Sequence, residues 1–327
     1  MPEWRPSCSM AALQKRAVML ASIRRFFAAR HVLEVETPLL CRAGVTDPNL
    51  HPFKTVLRKP GAAAGDPLYL QTSPEFAMKR LLAAGSGSIY QICKAFRNEE
   101  SGRHHNPEFT LLEWYRVGFD LDRLIDEIDA LLREICRDDL ILEASERLSY
   151  RELFREHVGA DPLSGSFEEL AECSGTRGLP EAEALCGEDR SFWLDLLFSH
   201  LVQPRLGRGR IAFVRDFPAF LPSLARKKSD DPRVVERVEI FLEGLELGNG
   251  FHELTDAVEQ EERFDRDLAV RKANGQSLPA KDERMLAALK NGLPDCSGIA
   301  LGLDRLLMIM MQAESIADVL TFPTARA

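Results

Sequence analysis

The stretch Ile89–Arg116, IYQICKAFRNEESGRHHNPEFTLLEWYR, decides how the rest of the chain is read. Two runs rich in aromatic and apolar residues flank a polar segment, the pattern of a long antiparallel hairpin. Side chains alternate faces along a strand, so Arg97 and Glu99 share a face opposite Phe96. On the second run Phe109, Glu113 and Tyr115 share a face, and Leu112 and Trp114 point the other way. Between the runs, Arg103, His104, His105 and Asn106 form a cluster of donors suited to phosphate. Taken alone, the same residues also suit a solvated hairpin with its charges turned outward. Three other stretches bear on that choice.

The first is Val234–Thr255, VVERVEIFLEGLELGNGFHELT. Strand alternation runs through Val238 and Ile240 and breaks at Gly244. Glu246 and Glu253 flank Gly248-Asn249-Gly250, which reads as a turn that lets both carboxylates face one point. Two acids beside a phosphate site repel it unless a divalent cation lies between, and Mg²⁺ is held by one or two carboxylates plus substrate phosphates. The glycines suggest a close backbone approach, with a solvated turn as the alternative. In the second, Cys296–Gln312, Gly298 and Gly302 bracket a short strand before an apolar helix from Leu303 to Gln312. Arg305 in the first turn opposes the helix dipole, which makes sense with a phosphate in front of it.

The third is Pro67–Gly85, PLYLQTSPEFAMKRLLAAG. Tyr69 to Thr72 reads as a strand, Ser73 as the cap of a helix, Pro74 as its first residue and Gly85 as its stop. Glu75 in that first turn complements the dipole, and a strand-to-helix turn is also where ligand groups sit. Elsewhere, Met10–Ala29 carries Leu13, Ala17, Leu20, Ile23 and Phe27 at helical spacing after a capping Ser9. A strand from Val32 to Glu36 follows, closed by Thr37-Pro38. Leu121–Arg137 is an amphipathic helix. Short helical pieces broken by Gly and Pro suggest a helical insertion over about 145–205, and His200 there reads as a core residue. Glu259–Gly275 reads as a helix with a solvated, charged face.

The 327 residues are 45% hydrophobic and 28% charged, the profile of an ordinary globular chain. No run approaches the roughly 20 apolar residues of a membrane span, and the start lacks an apolar leader. Seven cysteines without paired spacing fit reduced thiols in a cytoplasm, and no Cys/His group has zinc spacing. A net charge of −9 disfavours a protein that grips a long phosphate backbone.

Phe96-Arg97-Asn98-Glu99 and His105 to Phe109 resemble motif 2 of the class II aminoacyl-tRNA synthetases, and the fuller string resembles their lysyl branch. Met10–Leu40 resembles motif 1 and GIALGLDR resembles motif 3. The resemblance implies an α+β fold, one class II catalytic domain over 1–327 with an antiparallel sheet flanked by helices, and a homodimer through Met10–Leu40. It implies ATP and Mg²⁺. Arg97 would hold the α-phosphate and the amino-acid carboxylate, Asn98, Glu99 and Asn106 the adenine side, and His105 the outer phosphates. Phe109 would stack under adenine, Arg305 would bind the γ-phosphate, and Leu247 and Gly302 complete the ATP site. Glu246 and Glu253 would serve Mg-ATP and the substrate, and Arg97 and Arg305 would be the catalytic residues, stabilising charge together with Mg²⁺. Ser73, Pro74, Glu75, Glu113, Tyr115, Asn249, Glu253 and Ala300 would surround the amino acid.

The resemblance covers Met10 to Arg326 but leaves no room for an anticodon-binding domain before Met10. Ser73 stands where lysyl enzymes carry a small apolar residue, and Ala300 where they carry Gly. These departures resemble the truncated lysyl-synthetase paralogues, which implies (R)-β-lysine as donor, elongation factor P as acceptor, and neither tRNA nor membrane as partner. A tRNA-charging enzyme and an inactive binding paralogue remain the rivals. The second predicts eroded motifs, yet Arg97, Glu99, Glu246, Glu253 and Arg305 are all present.

Overall fold

The structure, a computed structural model, describes residues 4–61, 65–221 and 223–327. Among these the strands are, in chain order, β1 (Leu33–Glu34), β2 (Leu40–Cys41), β3 (Lys54–Leu57), β4 (Asp66–Leu70), β5 (Ile89–Phe96), β6 (Glu108–Val117), β7 (Glu146–Ser149), β8 (Ala212–Pro218), β9 (Val234–Leu242), β10 (Leu245–His252) and β11 (Cys296–Gly302). A large sheet has the spatial order β1-β5-β6-β11-β10-β9-β8-β7, and β2-β4-β3 form a small one. The hairpin forms as read, with Ile89 opposite Tyr115 and Phe96 opposite Glu108. All six central strands are antiparallel, as expected. The edges are not, since β1 and β7 run parallel to their neighbours and make the sheet mixed.

Period-2 alternation sorts the two faces. Leu112, Trp114, Ile299, Leu301, Val238 and Ile240 all enter one core beneath the helices Met10–Ala28, Leu121–Cys136 and Leu303–Met310. Trp114 is fully buried there, and Phe27 stacks on Tyr90 with ring centroids 4.5 Å apart. Truncating such a ring to alanine costs about 3–5 kcal/mol. Ser9 caps the first helix as read, accepting from Ala12 N at 3.1 Å, and Asp120 caps Leu121–Cys136, accepting from Arg123 N at 2.8 Å. On the opposite face, helices Glu75–Ala83, Ala257–Ala273 and Glu283–Gly292 cover one end around Phe264, Met285 and Tyr115. The middle of that face stays uncovered, and the polar residues of β6, β10 and β11 line it.

Residues 150–206 build a separate core against β8 and β9, around Trp193, Phe198 and Phe241. Helix Arg190–Leu197 passes into a π-turn at Phe198–Val202. That turn carries His200 to the surface, where its Nδ1 lies 2.9 Å from Leu196 O, so His200 is not a core residue. Nor is helix Ala257–Ala273 simply a solvated face: Arg271 is fully buried and donates to the carbonyls of Thr46, Asp47 and Leu50. Among the described residues no helix is long and apolar enough to cross a membrane.

Candidate active site

The uncovered middle of the sheet is a cavity of about 1500 Å³. Single small-molecule sites run roughly 300–1,000 Å³, so this one has room for a nucleotide and a second ligand side by side. Its two ends differ in sign.

One end is cationic. Arg97 follows directly on β5, and its guanidinium lies 5.1 Å from the centre of the Phe109 ring and 3.5 Å from Glu100. Its Nε is buried with no hydrogen-bond partner among the described residues, which suits a donor waiting for an anion. Arg305 is held from three sides: it donates to Glu246 O at 2.8 Å, to His104 O at 3.3 Å and to His105 Nε2 at 2.5 Å. Burial and the Arg305 charge hold His105 below the usual imidazole range, so it meets Arg305 as a neutral acceptor. Asp304, buried beside it, accepts from Thr110 N at 2.6 Å and from Arg16 at 2.5 Å. One carboxylate therefore ties the first helix, β6 and the helix that carries Arg305.

The other end is acidic and closed. Glu113 on β6 accepts from Ser73 Oγ at 2.8 Å and from Tyr115 OH at 2.7 Å. Burial and the nearby Glu75 charge push Glu113 up to about 8 in spite of those bonds. Glu75 and Glu253 share one buried cation, Lys79, at 2.7 and 2.6 Å. Gly298 makes this closeness possible, because a Cβ there would meet the Tyr115 ring at 2.3 Å and Glu253 Oε1 at 2.7 Å. Ala300 pairs with Glu113 on one side and Asn249 on the other, so its methyl lies among the proposed amino-acid contacts. Ser73 caps one residue early, accepting from Glu75 N at 3.0 Å while Pro74 occupies the cap position.

Three readings need correction. Gly248-Asn249-Gly250 is not a turn but the middle of β10; the turn is at Glu243-Gly244, with φ of 52° and 76°. The two glycines clear the neighbouring strand, since a Cβ at 248 would meet Ala300 O at 2.5 Å and one at 250 would meet Gly298 O at 2.8 Å. Glu246 and Glu253 thus lie seven positions apart along extended chain rather than on either side of a turn. Glu239 on β9 faces Asn249 and is pushed up to about 8 by burial, with Arg237 opposing and Glu246 adding to the rise.

The second correction concerns the end of motif 2. Since β5 stops at Phe96, alternation does not reach Glu99; at φ 70° its side chain turns out, 68% exposed and 3.9 Å from His51. Asn98 bridges His51 through its backbone, and Glu100 is the acid of that loop that lines the cavity. Third, the Asn106 amide reaches the cavity wall but is engaged by Glu108 O at 2.6 Å and by Thr324, so it anchors the C-terminal turn. Phe109, Leu247, Gly302 and Pro74 stand at the cavity as expected.

Four residues escaped the sequence reading: Lys79, Arg237, Glu239 and Asp304. Arg237 donates to Asn249 Oδ1 at 3.1 Å and to Glu239 at 2.5 Å, joining β9 to β10 across the cavity floor. The alternating V-E-R-V-E-I of β9 was a usable signal, because Arg237 and Glu239 share a face there.

This fold and this divided cavity define a class. The family model for class II tRNA synthetases (D, K and N) matches residues 3–326, and the chain belongs to that family. Among its relatives, an elongation factor P–(R)-β-lysine ligase from Pectobacterium atrosepticum is 53% identical over 325 residues, 99% of this chain and 98% of its own. Proteins of the same name from Yersinia enterocolitica and Edwardsiella ictaluri are 52% and 51% identical, over 99% and 100% of this chain and 98% and 99% of their own.

Proposed function

We propose that this chain is an ATP-dependent ligase that activates (R)-β-lysine as an adenylate and transfers it to a lysine ε-amine of elongation factor P. The relatives' name supports the donor and acceptor. The observation that carries the chemistry is one cavity with arginines at one end and three carboxylates at the other, Glu113 and Glu253 buried and Glu75 partly so. A diamino acid laid across it puts its ammonium groups on Glu75, Glu113 and Glu253 and its carboxylate toward Arg97.

In the first step a carboxylate oxygen of the donor attacks the ATP α-phosphorus in line. The new O–P bond forms as the bond to the bridging oxygen breaks, and pyrophosphate leaves. No general base is needed, because the nucleophile is already an anion. Arg97, with its buried Nε, steadies charge on the α-phosphate, and Arg305 steadies the outer phosphates. The preset hydrogen bonds of Arg305 mean little reorganisation is required during the step. In the second step the neutral acceptor amine attacks the activated carbonyl, an amide forms, AMP leaves and the amine proton passes to solvent.

Glu246 lines the phosphate end and is the acid that would hold Mg²⁺ there, with substrate phosphates completing its oxygen shell. When bound, the ion would offset phosphate charge there. We also infer a homodimer, supported by Met10, Val18, Leu33 and Leu40, which are exposed on the first helix and the segment after it. The acceptor test incubates enzyme, ATP and labelled donor with elongation factor P or with tRNALys. Label should appear on the protein as an added β-lysyl mass; label on the tRNA instead would return the chain to the charging enzymes.

A further inference from the structure

Lys79 is the buried charge that the chemistry above leaves unused. It lies one turn into helix Glu75–Ala83, and its side chain is 1% exposed. Its Nζ is 2.7 Å from Glu75 of the same helix and 2.6 Å from Glu253, which follows β10, so it joins helix to sheet under the pocket. Glu113, by contrast, has among the described residues the uncharged partners Ser73 and Tyr115. A cation buried this deeply is costly unless its partners are fixed around it. On a solvated helix the same i,i+4 pair would be worth a few tenths of a kcal/mol and would specify nothing.

We propose that Lys79 is a positioning residue: it offsets one of the three pocket carboxylates, so that once Glu113 ionises against the donor two negative charges remain, which select a donor carrying two ammonium groups. The proposal deepens the adenylate-forming reading and rests on it. A donor with one ammonium leaves one buried carboxylate without a partner. Lys79 also keeps Glu75 and Glu253 apart from each other, so that each presents its second oxygen in a fixed direction. The remaining titratable groups nearby do not supply that charge. Tyr115 is neutral, and burial pushes the Cys296 thiol up to about 12. His252 is taken by Glu236 at 2.7 Å and Asp295 at 3.1 Å. Burial works against the Lys79 charge, and the Glu253 and Glu75 carboxylates outweigh it, so Lys79 stays protonated.

The test compares wild type, Lys79→Met and Lys79→Arg in ATP–pyrophosphate exchange. Donors are (R)-β-lysine, α-lysine and their analogues without the distal amine. Lys79→Met should raise the KM for the diamino donors about tenfold or more, leave the KM for ATP unchanged, and shift the acidic limb of the pH profile. Lys79→Arg should recover most of the loss. A Lys79→Met enzyme with wild-type donor KM and pH profile overturns the proposal. So does a loss that is equal for every donor and follows the melting temperature alone.

A second measurement does not depend on that variant folding. Calorimetry of wild type with (R)-β-lysine at pH 7, in buffers of different ionisation enthalpy, should show protons released as Glu113 ionises against the donor. Release should vanish near pH 9, and equal wild-type affinity for (R)-β-lysine and for its analogue without the distal amine would also overturn the proposal. A wild type that binds the diamino donor with proton release but performs no exchange would fault the adenylate reading alone.

Discussion

The two ends of the cavity handle charge in opposite ways. At the phosphate end the cations are exposed enough to reach a ligand, and Arg305 is aimed by carbonyls and by a neutral histidine, none of which competes for the anion. At the amine end Glu113 and Glu253 are buried and Glu75 partly so, with Lys79 standing between Glu75 and Glu253. An open cationic end can receive a polyphosphate that brings its own water and ions. A closed acidic end accepts only what replaces the protons and partners already there. Rate should therefore depend most on the first end, and selectivity on the second.

The largest effect should come from the open end. Arg97→Ala and Arg305→Ala should each reduce pyrophosphate exchange about a hundredfold or more, on the order of 3 kcal/mol for a preorganised charge. Circular dichroism should show both folded, since neither side chain belongs to a core. Wild-type exchange in either variant would break the division of labour between the ends.

Next in size is Glu113→Gln, which keeps the shape of the closed end and removes one charge. Donor affinity by calorimetry should fall by about 2–3 kcal/mol, less than the full 3–5 kcal/mol of a broken buried pair because Tyr115 and Ser73 still bond the amide. ATP affinity should stay unchanged. Equal donor affinity in both proteins would show that the distal ammonium is not held there.

The same residue gives a pH dependence of definite sign. Glu113 titrates near 8 in the folded protein and near 4.5 when unfolded, so the fold holds its proton more tightly. Its contribution to stability is complete below about pH 4.5 and is lost as pH rises through about 8, by up to about 1.4 kcal/mol per unit in that window. Without donor, melting temperatures of wild type should therefore fall relative to Glu113→Gln between pH 6 and 9. Donor binding to wild type should strengthen over the same range, as the carboxylate becomes available. Parallel melting curves across that range would show that Glu113 is ionised throughout.

The open end was far more legible in the sequence than the closed one. Arg97, His105, Phe109 and Arg305 come from short motifs whose local spacing states their roles, and the capped helices and the hairpin follow from periodicity. The closed end depends on what burial does to charge. Lys79 reads as a surface residue in M-K-R, and only Glu253, far away in the chain, shows that it is inside. Glu239 was passed over because the glycines of β10 looked like a turn. Glycine signals positive φ or close approach, and here it was the neighbouring strand β11 that needed the room. The mistaken turn then set Glu246 and Glu253 on either side of it, whereas across the true hairpin Glu246 faces Phe241 and Glu239 faces Asn249.

The smallest prediction tests the finest difference within the closed end. Ala300 alternates with Ile299 and Leu301, which are buried on the far face, so its methyl projects into the cavity between Glu113 and Asn249. Opposite it, Ser73 spends its hydroxyl proton on Glu113, which fixes that carboxylate's direction. The proposed donor would lie along this face, and a β-amine sits one carbon further from the donor carboxylate than an α-amine. Space removed at Ala300 should therefore weigh differently on the two donors. One methyl in a pocket is worth about 1–3 kcal/mol of discrimination, and a strand-borne methyl with open cavity before it belongs at the low end. Ala300→Gly should shift the ratio of kcat/KM for (R)-β-lysine over α-lysine roughly fivefold toward α-lysine, about 1 kcal/mol. Exchange with each donor measured on the same preparation gives that ratio directly. If the ratio stays fixed while both activities fall together, the methyl serves packing of β11, and the choice between the two amines is made elsewhere in the pocket.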